Sequence, residues 1–210
     1  YLKDRSKDIN FNPLDSELVK LTQQVINDGA NKQLVVLHTY GSHYNYAARY
    51  PQDMAYFKPD SPVSPQKEFL PKLKNAYDNS IRYTDKVIYD LITMLDSVEN
   101  AHTSLLYVSD HGEELFDDDR EVIFHSSTTP SYYQVHVPML VWLSQGYREA
   151  YPNIQASLMA NRHEQVSSSA SFFHTILNVA GIETTYRDDS YSVASKAYVE
   201  RPRIYLNDHY

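Results

Sequence analysis

Two short apolar runs, Leu34 to Leu37 and Thr103 to Val108, each break into a polar turn that carries histidine, and a long helical repeat lies between them. Continuous apolar runs of this kind suit strands buried on both faces of a sheet. In the intervening stretch Leu73, Ala76, Ser80, Thr84, Val87, Leu91 and Leu95 recur at helical spacing, which predicts a helix from Lys72 to Val98 with Pro71 in its first turn. Asp15 ahead of Leu18, Leu21, Val25 and Ile26, with Gly29 beyond them, predicts a first helix over 15–28, capped by Asp15. Between Tyr46 and Gln66 the prolines at 51, 59, 62 and 65 and the lack of periodicity predict a long surface excursion. Val137 to Leu143 reads as a third strand, Val166 to Ala180 ahead of Gly181 as a third helix, and Arg203 to Leu206 as a last strand. The alternation predicts an α/β layered fold with a mainly parallel central sheet and helices on both faces, formed as a single domain over 1–210.

In such sheets ligands bind beyond the carboxyl ends of the strands. Two of those ends carry groups able to hold a metal: His43 in Tyr40-Gly41-Ser42-His43, and Asp110 and His111 in Ser109-Asp110-His111-Gly112-Glu113. An Asp-His pair followed by glycine lets a carboxylate and an imidazole leave one tight turn together. His125 follows in a loop rich in Ser and Thr, from which it can fold back over the same place. The Asp117-Asp118-Asp119 run lacks the alternating acidic spacing of a calcium loop and reads as a solvated turn. Ser42 beside His43 sits in no Gly-x-Ser-x-Gly elbow, and there is no glycine-rich phosphate loop.

Composition narrows the function classes. With 19 Lys and Arg against 27 Asp and Glu, the net charge of -8 excludes the broad basic face that a nucleic-acid backbone requires. The absence of cysteine leaves His, Asp, Glu and hydroxyl oxygen as the metal donors. The apolar runs fall well short of the roughly 20 residues that span a bilayer.

Five separated blocks resemble, in order and spacing, the catalytic domain of the phosphoethanolamine transferases, within the sulfatase and alkaline phosphatase superfamily. They are His38-Thr39-Tyr40-Gly41-Ser42-His43, Arg49-Tyr50-Pro51, Tyr77-Asp78-Asn79-Ser80 with Tyr83 and Asp85, Tyr107-Val108-Ser109-Asp110-His111-Gly112-Glu113, and Val137 to Ser144. The resemblance runs from about Leu34 to Gly181 and corresponds to the C-terminal part of that domain. It implies an alkaline phosphatase-like fold. It also implies a periplasmic domain of an inner-membrane protein, tethered by N-terminal membrane helices, that moves phosphoethanolamine from phosphatidylethanolamine to a lipid A or glycan acceptor.

By position, the resemblance makes Asp110 and His111 zinc ligands. It makes His43 and His125 the outer pair that binds the phosphoryl group or a second zinc, with Glu113 supporting the ligands from behind. In the family a zinc-activated threonine is the nucleophile, and that threonine and a further glutamate ligand lie far upstream of the His-Thr-x-Gly-Ser-His block. None of Thr39, Thr84, Thr103, Thr128 or Thr129 has the matching context, so no nucleophile is assigned and the piece alone is expected to be inactive. Tyr44 stands where the family usually has glycine, and Ala170-Ser171 where it has a His-Asp pair. Two other readings share the fold: a sulfatase or phosphodiesterase that hydrolyses its ester with water, and a non-catalytic binding module.

Overall fold

The computed structural model describes residues 13–125 and 129–203. They divide between Met94 and Leu95 into two compact units.

The first unit opens with helix α1, Ser16–Asn27. Asp15 does not cap it through its side chain. Its two carboxylate oxygens instead accept the backbone N–H groups of Tyr40 and Gly41, at 3.0 and 2.8 Å, and so fix the turn that precedes His43. The Leu34 to Leu37 run forms no strand among the described residues, and Leu34 and Val36 are 67% and 83% exposed. Val35 and Leu37 are half-buried, but no described strand pairs with the run, so the strand expected there is not found.

The excursion from Tyr46 to Gln66 is better anchored than a surface loop. It carries short 3-10 turns at Tyr46–Ala48 and Gln52–Met54, with another at Lys67–Phe69, and it buries Tyr46, Tyr50 and Asp60. It is held against helix α2, Leu70–Asp96, whose buried face carries Leu73, Ala76, Asn79, Ser80, Tyr83, Val87, Leu91 and Met94 at helical spacing. The buried amide of Asn79 does most of the holding. Its Oδ1 accepts the N–H groups of Tyr56 and Phe57, both at 2.9 Å, and its Nδ2 donates to the Phe57 carbonyl at 3.0 Å. Beside it the Tyr50 hydroxyl donates to Asp60 at 2.7 Å and the Lys58 ammonium donates to the same carboxylate at 3.0 Å.

The second unit contains β1 (Ser104–Val108), β2 (Glu114–Leu115), β3 (Ile123–Phe124), α3 (Tyr132–Val135), β4 (Met139–Leu143), α4 (Gln145–Ala150), α5 (Pro152–Asn161) and α6 (Ser168–Val179). β1 pairs with β4 in an antiparallel register that sets Ser104 opposite Leu143 and Val108 opposite Met139. β2 and β3 form a second antiparallel pair, Glu114 opposite Phe124 and Leu115 opposite Ile123. The unit is therefore α/β, but both described sheets are antiparallel pairs where a mainly parallel sheet was expected. The connection explains it: a parallel return needs a long crossover, usually a helix. Among the described residues the connection from β1 to β4 holds the β2–β3 hairpin and the one-turn α3 and no crossover helix, and the chain comes back reversed.

Pro138 stays outside β4, as a residue with no N–H to give to a ladder should. Leu143, Tyr147, Val179 and Ala194 form a core, with Leu106, Val141, Ile154 and Leu158 packed on it. The Tyr147 hydroxyl donates to the Val179 carbonyl, and burial pushes its pKa up to about 12. The segment expected as a last strand lies, beyond Arg203, outside the described residues. No helix among the described residues is long and apolar enough to cross a membrane.

Burial alone would push the Asp60 carboxyl up, but the hydrogen bonds from Tyr50 and Lys58 outweigh it and hold the group below the ordinary value of 3.8. A carboxyl depressed in the folded state adds stability that is complete above its unfolded pKa and is lost as pH falls through the folded one. Asp60→Asn is therefore expected to lose about 1–3 kcal/mol of unfolding free energy at neutral pH. Its acid unfolding profile should be flatter than the parent's below about pH 4. Denaturant titrations across pH check both, and a variant profile parallel to the parent's would contradict the assignment.

Candidate metal centre

β1 ends at Val108, and the next five residues form the turn that supplies the donors. Gly112 is needed there for space. Its N–H donates to the Gln134 carbonyl at 2.8 Å, and a Cβ at this position would overlap the Tyr133 carbonyl oxygen. The chain then enters the β2–β3 hairpin. Because Glu114 is paired with Phe124, the residues one step outward, Glu113 and His125, are brought opposite each other.

The result is a compact cluster. The donor atoms of His111, Glu113 and His125 lie within 4.8 Å of one another. The Glu113 side chain is 5% exposed, while both imidazoles are about a third exposed (34% and 36%). His125 Nδ1 is 2.9 Å from Glu113 Oε1, and His111 Nδ1 is 3.9 Å from the same oxygen. The two rings stack with centroids 3.7 Å apart and planes 28° from parallel.

These contacts decide the tautomers. A carboxylate only accepts, so His125 must donate from Nδ1. His111 Nδ1 lies 3.0 Å from the Gly112 carbonyl, which also only accepts, so it too must donate. When neutral, each ring therefore carries its lone pair at Nε2. His111 Nε2 stands 3.8 Å from Asp110 Oδ2. Bonds of about 2.0 Å to nitrogen and 2.0–2.2 Å to oxygen on one tetrahedral ion set two such donors roughly 3.4 Å apart, close to this separation. Donors of this kind fit a divalent metal. The Asp110 side chain, 86% exposed, is open to solvent, and its Oδ1 accepts its neighbour's N–H at 3.1 Å.

Of the residues singled out from sequence, His111, Glu113 and His125 come together and Asp110 adjoins them. His43 belongs to the first unit. Its Nδ1 donates to the Tyr44 carbonyl at 2.6 Å, so its Nε2 also carries the lone pair when neutral, and Arg49 donates from Nε to its carbonyl at 3.0 Å. Burial lowers the pKa of the Arg49 guanidinium. The Asp117 to Asp119 run is a salt-bridged turn: Arg120 donates to Asp118 from Nε and Nη2 at 2.8 and 2.6 Å and holds that carboxyl below its usual range.

Two residues escaped sequence reasoning. Glu114 is fully buried, its Oε1 accepting the Asp117 N–H at 2.8 Å and its Oε2 lying 3.8 Å from Arg120. Gln134 closes a capping box with Ser131. The Ser-x-x-Gln spacing was the available signal for it; nothing in the sequence marks Glu114 apart from its neighbours.

A sequence model of the Sulfatase family matches residues 1–182. Phosphoethanolamine transferase EptA of Salmonella typhimurium is 38% identical over 159 residues, which make up 73% of this chain but only 28% of that protein. The chain thus spans less than a third of that relative's length. Among solved structures, the C-terminal periplasmic domain of phosphoethanolamine transferase EptC from Campylobacter jejuni matches with a TM-score of 0.79 at 25% identity, over 90% of this chain and 60% of that one. The C-terminal periplasmic domain of EcEptC from Escherichia coli, a complex with Zn, matches with a TM-score of 0.72 at 27% identity, over 92% of this chain and 54% of that one. With a family match over most of its length, this chain belongs to the Sulfatase family and is similar to the periplasmic domains of phosphoethanolamine transferases.

Proposed function

We propose that this chain is the metal-binding part of a periplasmic phosphoethanolamine transferase domain, borne by an inner-membrane protein. The reaction assigned to the whole protein is transfer of phosphoethanolamine from phosphatidylethanolamine to a lipid A or glycan acceptor. The observation that carries the reading is the pair of stacked imidazoles with both Nδ1 atoms engaged and the Asp110 carboxylate standing beside one Nε2.

Asp110 and His111 hold the cation through Oδ2 and Nε2. Zinc suits this nitrogen and oxygen donor set and, when bound, supplies the positive charge that neutralises a phosphoryl group. Glu113 keeps the His125 imidazole oriented from behind and lies close to the His111 ring that the Gly112 carbonyl holds, the arrangement by which buried carboxylates tune metal-binding histidines. His125 can take a proton at Nε2 while Nδ1 stays on Glu113. The same ring thus serves as a second cation ligand when neutral, or as a donor to a phosphoryl oxygen when protonated. His43 is assigned phosphoryl binding or a second zinc from the family resemblance and is tested by its own substitution. The net charge of -8 accords with a site whose positive field comes from a metal.

A direct role for Glu113 as a ligand is the second reading, favoured by the closeness of its carboxylate to both Nδ1 atoms. Glu113→Gln distinguishes the two. Behind the ligands, its loss should weaken zinc binding by about 10–100-fold; as a ligand, it should abolish binding. Competition titration against a chromophoric chelator reads the difference.

The reaction is tested with the protein in its native membranes, a phosphatidylethanolamine labelled in its headgroup and a lipid A acceptor. Asp110→Ala and His111→Ala are each expected to lower transfer by at least about a hundredfold. Undiminished transfer would refute the site. Label released as free phosphoethanolamine without acceptor would replace transfer by hydrolysis.

A further inference from the structure

Gln134 touches both arms of the metal centre. Its main-chain carbonyl accepts the Gly112 N–H at 2.8 Å, which fixes the turn carrying Asp110 and His111. Its side-chain Nε2 donates to the Phe124 carbonyl at 2.6 Å, immediately before His125. Its Oε1 accepts the Ser131 N–H at 2.9 Å, so the amide has no freedom to turn away. The residue is 3% exposed.

The Phe124 contact falls where the backbone most needs support. Phe124 has φ of 69°, in the left-handed region that a bulky side chain rarely adopts. Such a conformation is strained and persists only where surrounding contacts enforce it. It is this conformation that carries His125 from the end of β3 to Glu113 and on to the face of His111.

We propose that Gln134 is a positioning residue of the metal centre: its buried amide holds Phe124 in the left-handed conformation and sets the separation of His125 from the Asp110-His111 turn. The inference rests on the metal-binding reading given above and extends it to a residue that touches no ligand. Since the Gly112 bond uses only the main chain, substitution of Gln134 releases one arm and leaves the other attached.

The test compares two variants of the same short helix. Gln134→Met keeps the length and removes both side-chain bonds, whereas Ser131→Ala removes the hydroxyl that accepts the Gln134 N–H and leaves the Gln134 amide bonded to Phe124. Both are expected to lower the melting temperature. Only Gln134→Met should weaken cobalt(II) and zinc binding, by about tenfold or more, and alter the visible absorption of the cobalt complex; Ser131→Ala should bind within about twofold of the parent. If Gln134→Met does not fold, Gln134→Glu takes its place. It keeps an acceptor for Ser131 but sets a carboxylate oxygen against the Phe124 carbonyl, with the same loss of affinity expected. A folded Gln134 variant with parental affinity and cobalt spectrum would overturn the proposal. A parent chain that binds neither metal would instead refute the metal-binding reading.

Discussion

The Glu113 carboxylate is the constraint from which the site follows. A carboxylate almost wholly removed from water must be met by donors or it destabilises the fold. The Nδ1–H of His125 is one such donor here, with His111 close by on the same side. Satisfying the carboxylate commits the His125 ring to one tautomer, and the Gly112 carbonyl commits His111 to the same one. What the metal centre offers outward is therefore decided behind it.

The local fold serves this contact. A ladder of only two residue pairs is enough to set Glu113 opposite His125, because pairing at Glu114 and Phe124 fixes the register one step beyond. Phe116, just beyond β2, as well as Phe124, the last residue of β3, lies at positive φ, so the hairpin contains strained backbone on both sides. The strain is contained by hydrogen bonds from outside the hairpin and within its loop, including Phe116 N–H to Val122, Leu115 N–H to Asp117 and Gln134 to Phe124. Gly112 admits the close passage of the α3 backbone that makes the last of these possible.

Much of this was legible in the residues, for reasons of period and punctuation. The α2 repeat is long enough for its spacing to be unambiguous, and its ends fell within a few residues of those expected. The Asp-His-Gly-Glu turn was marked by the apolar run ahead of it. Strand direction was not legible, because a short apolar run reports burial and says nothing of its neighbour. The hairpin escaped because two residues per strand are too few for alternation to register. Asp15 was expected to cap α1, but a carboxylate in that position serves equally well as acceptor for a distant turn, and it is the N–H groups of Tyr40 and Gly41 that it takes. Gln134 sits in a recognisable capping spacing, yet its contact with Phe124 depends on a hairpin that sequence did not disclose.

The central claim is that both imidazoles are held with the proton on Nδ1 and the lone pair on Nε2. Long-range 1H–15N correlation spectra of the metal-free chain at a pH where the histidines are neutral report the tautomer of each ring directly. The account predicts protonated Nδ1 and unprotonated Nε2 for both His111 and His125, with His125 alone changing when Glu113 is replaced by alanine. Protonated Nε2 on either ring in the parent chain would contradict it.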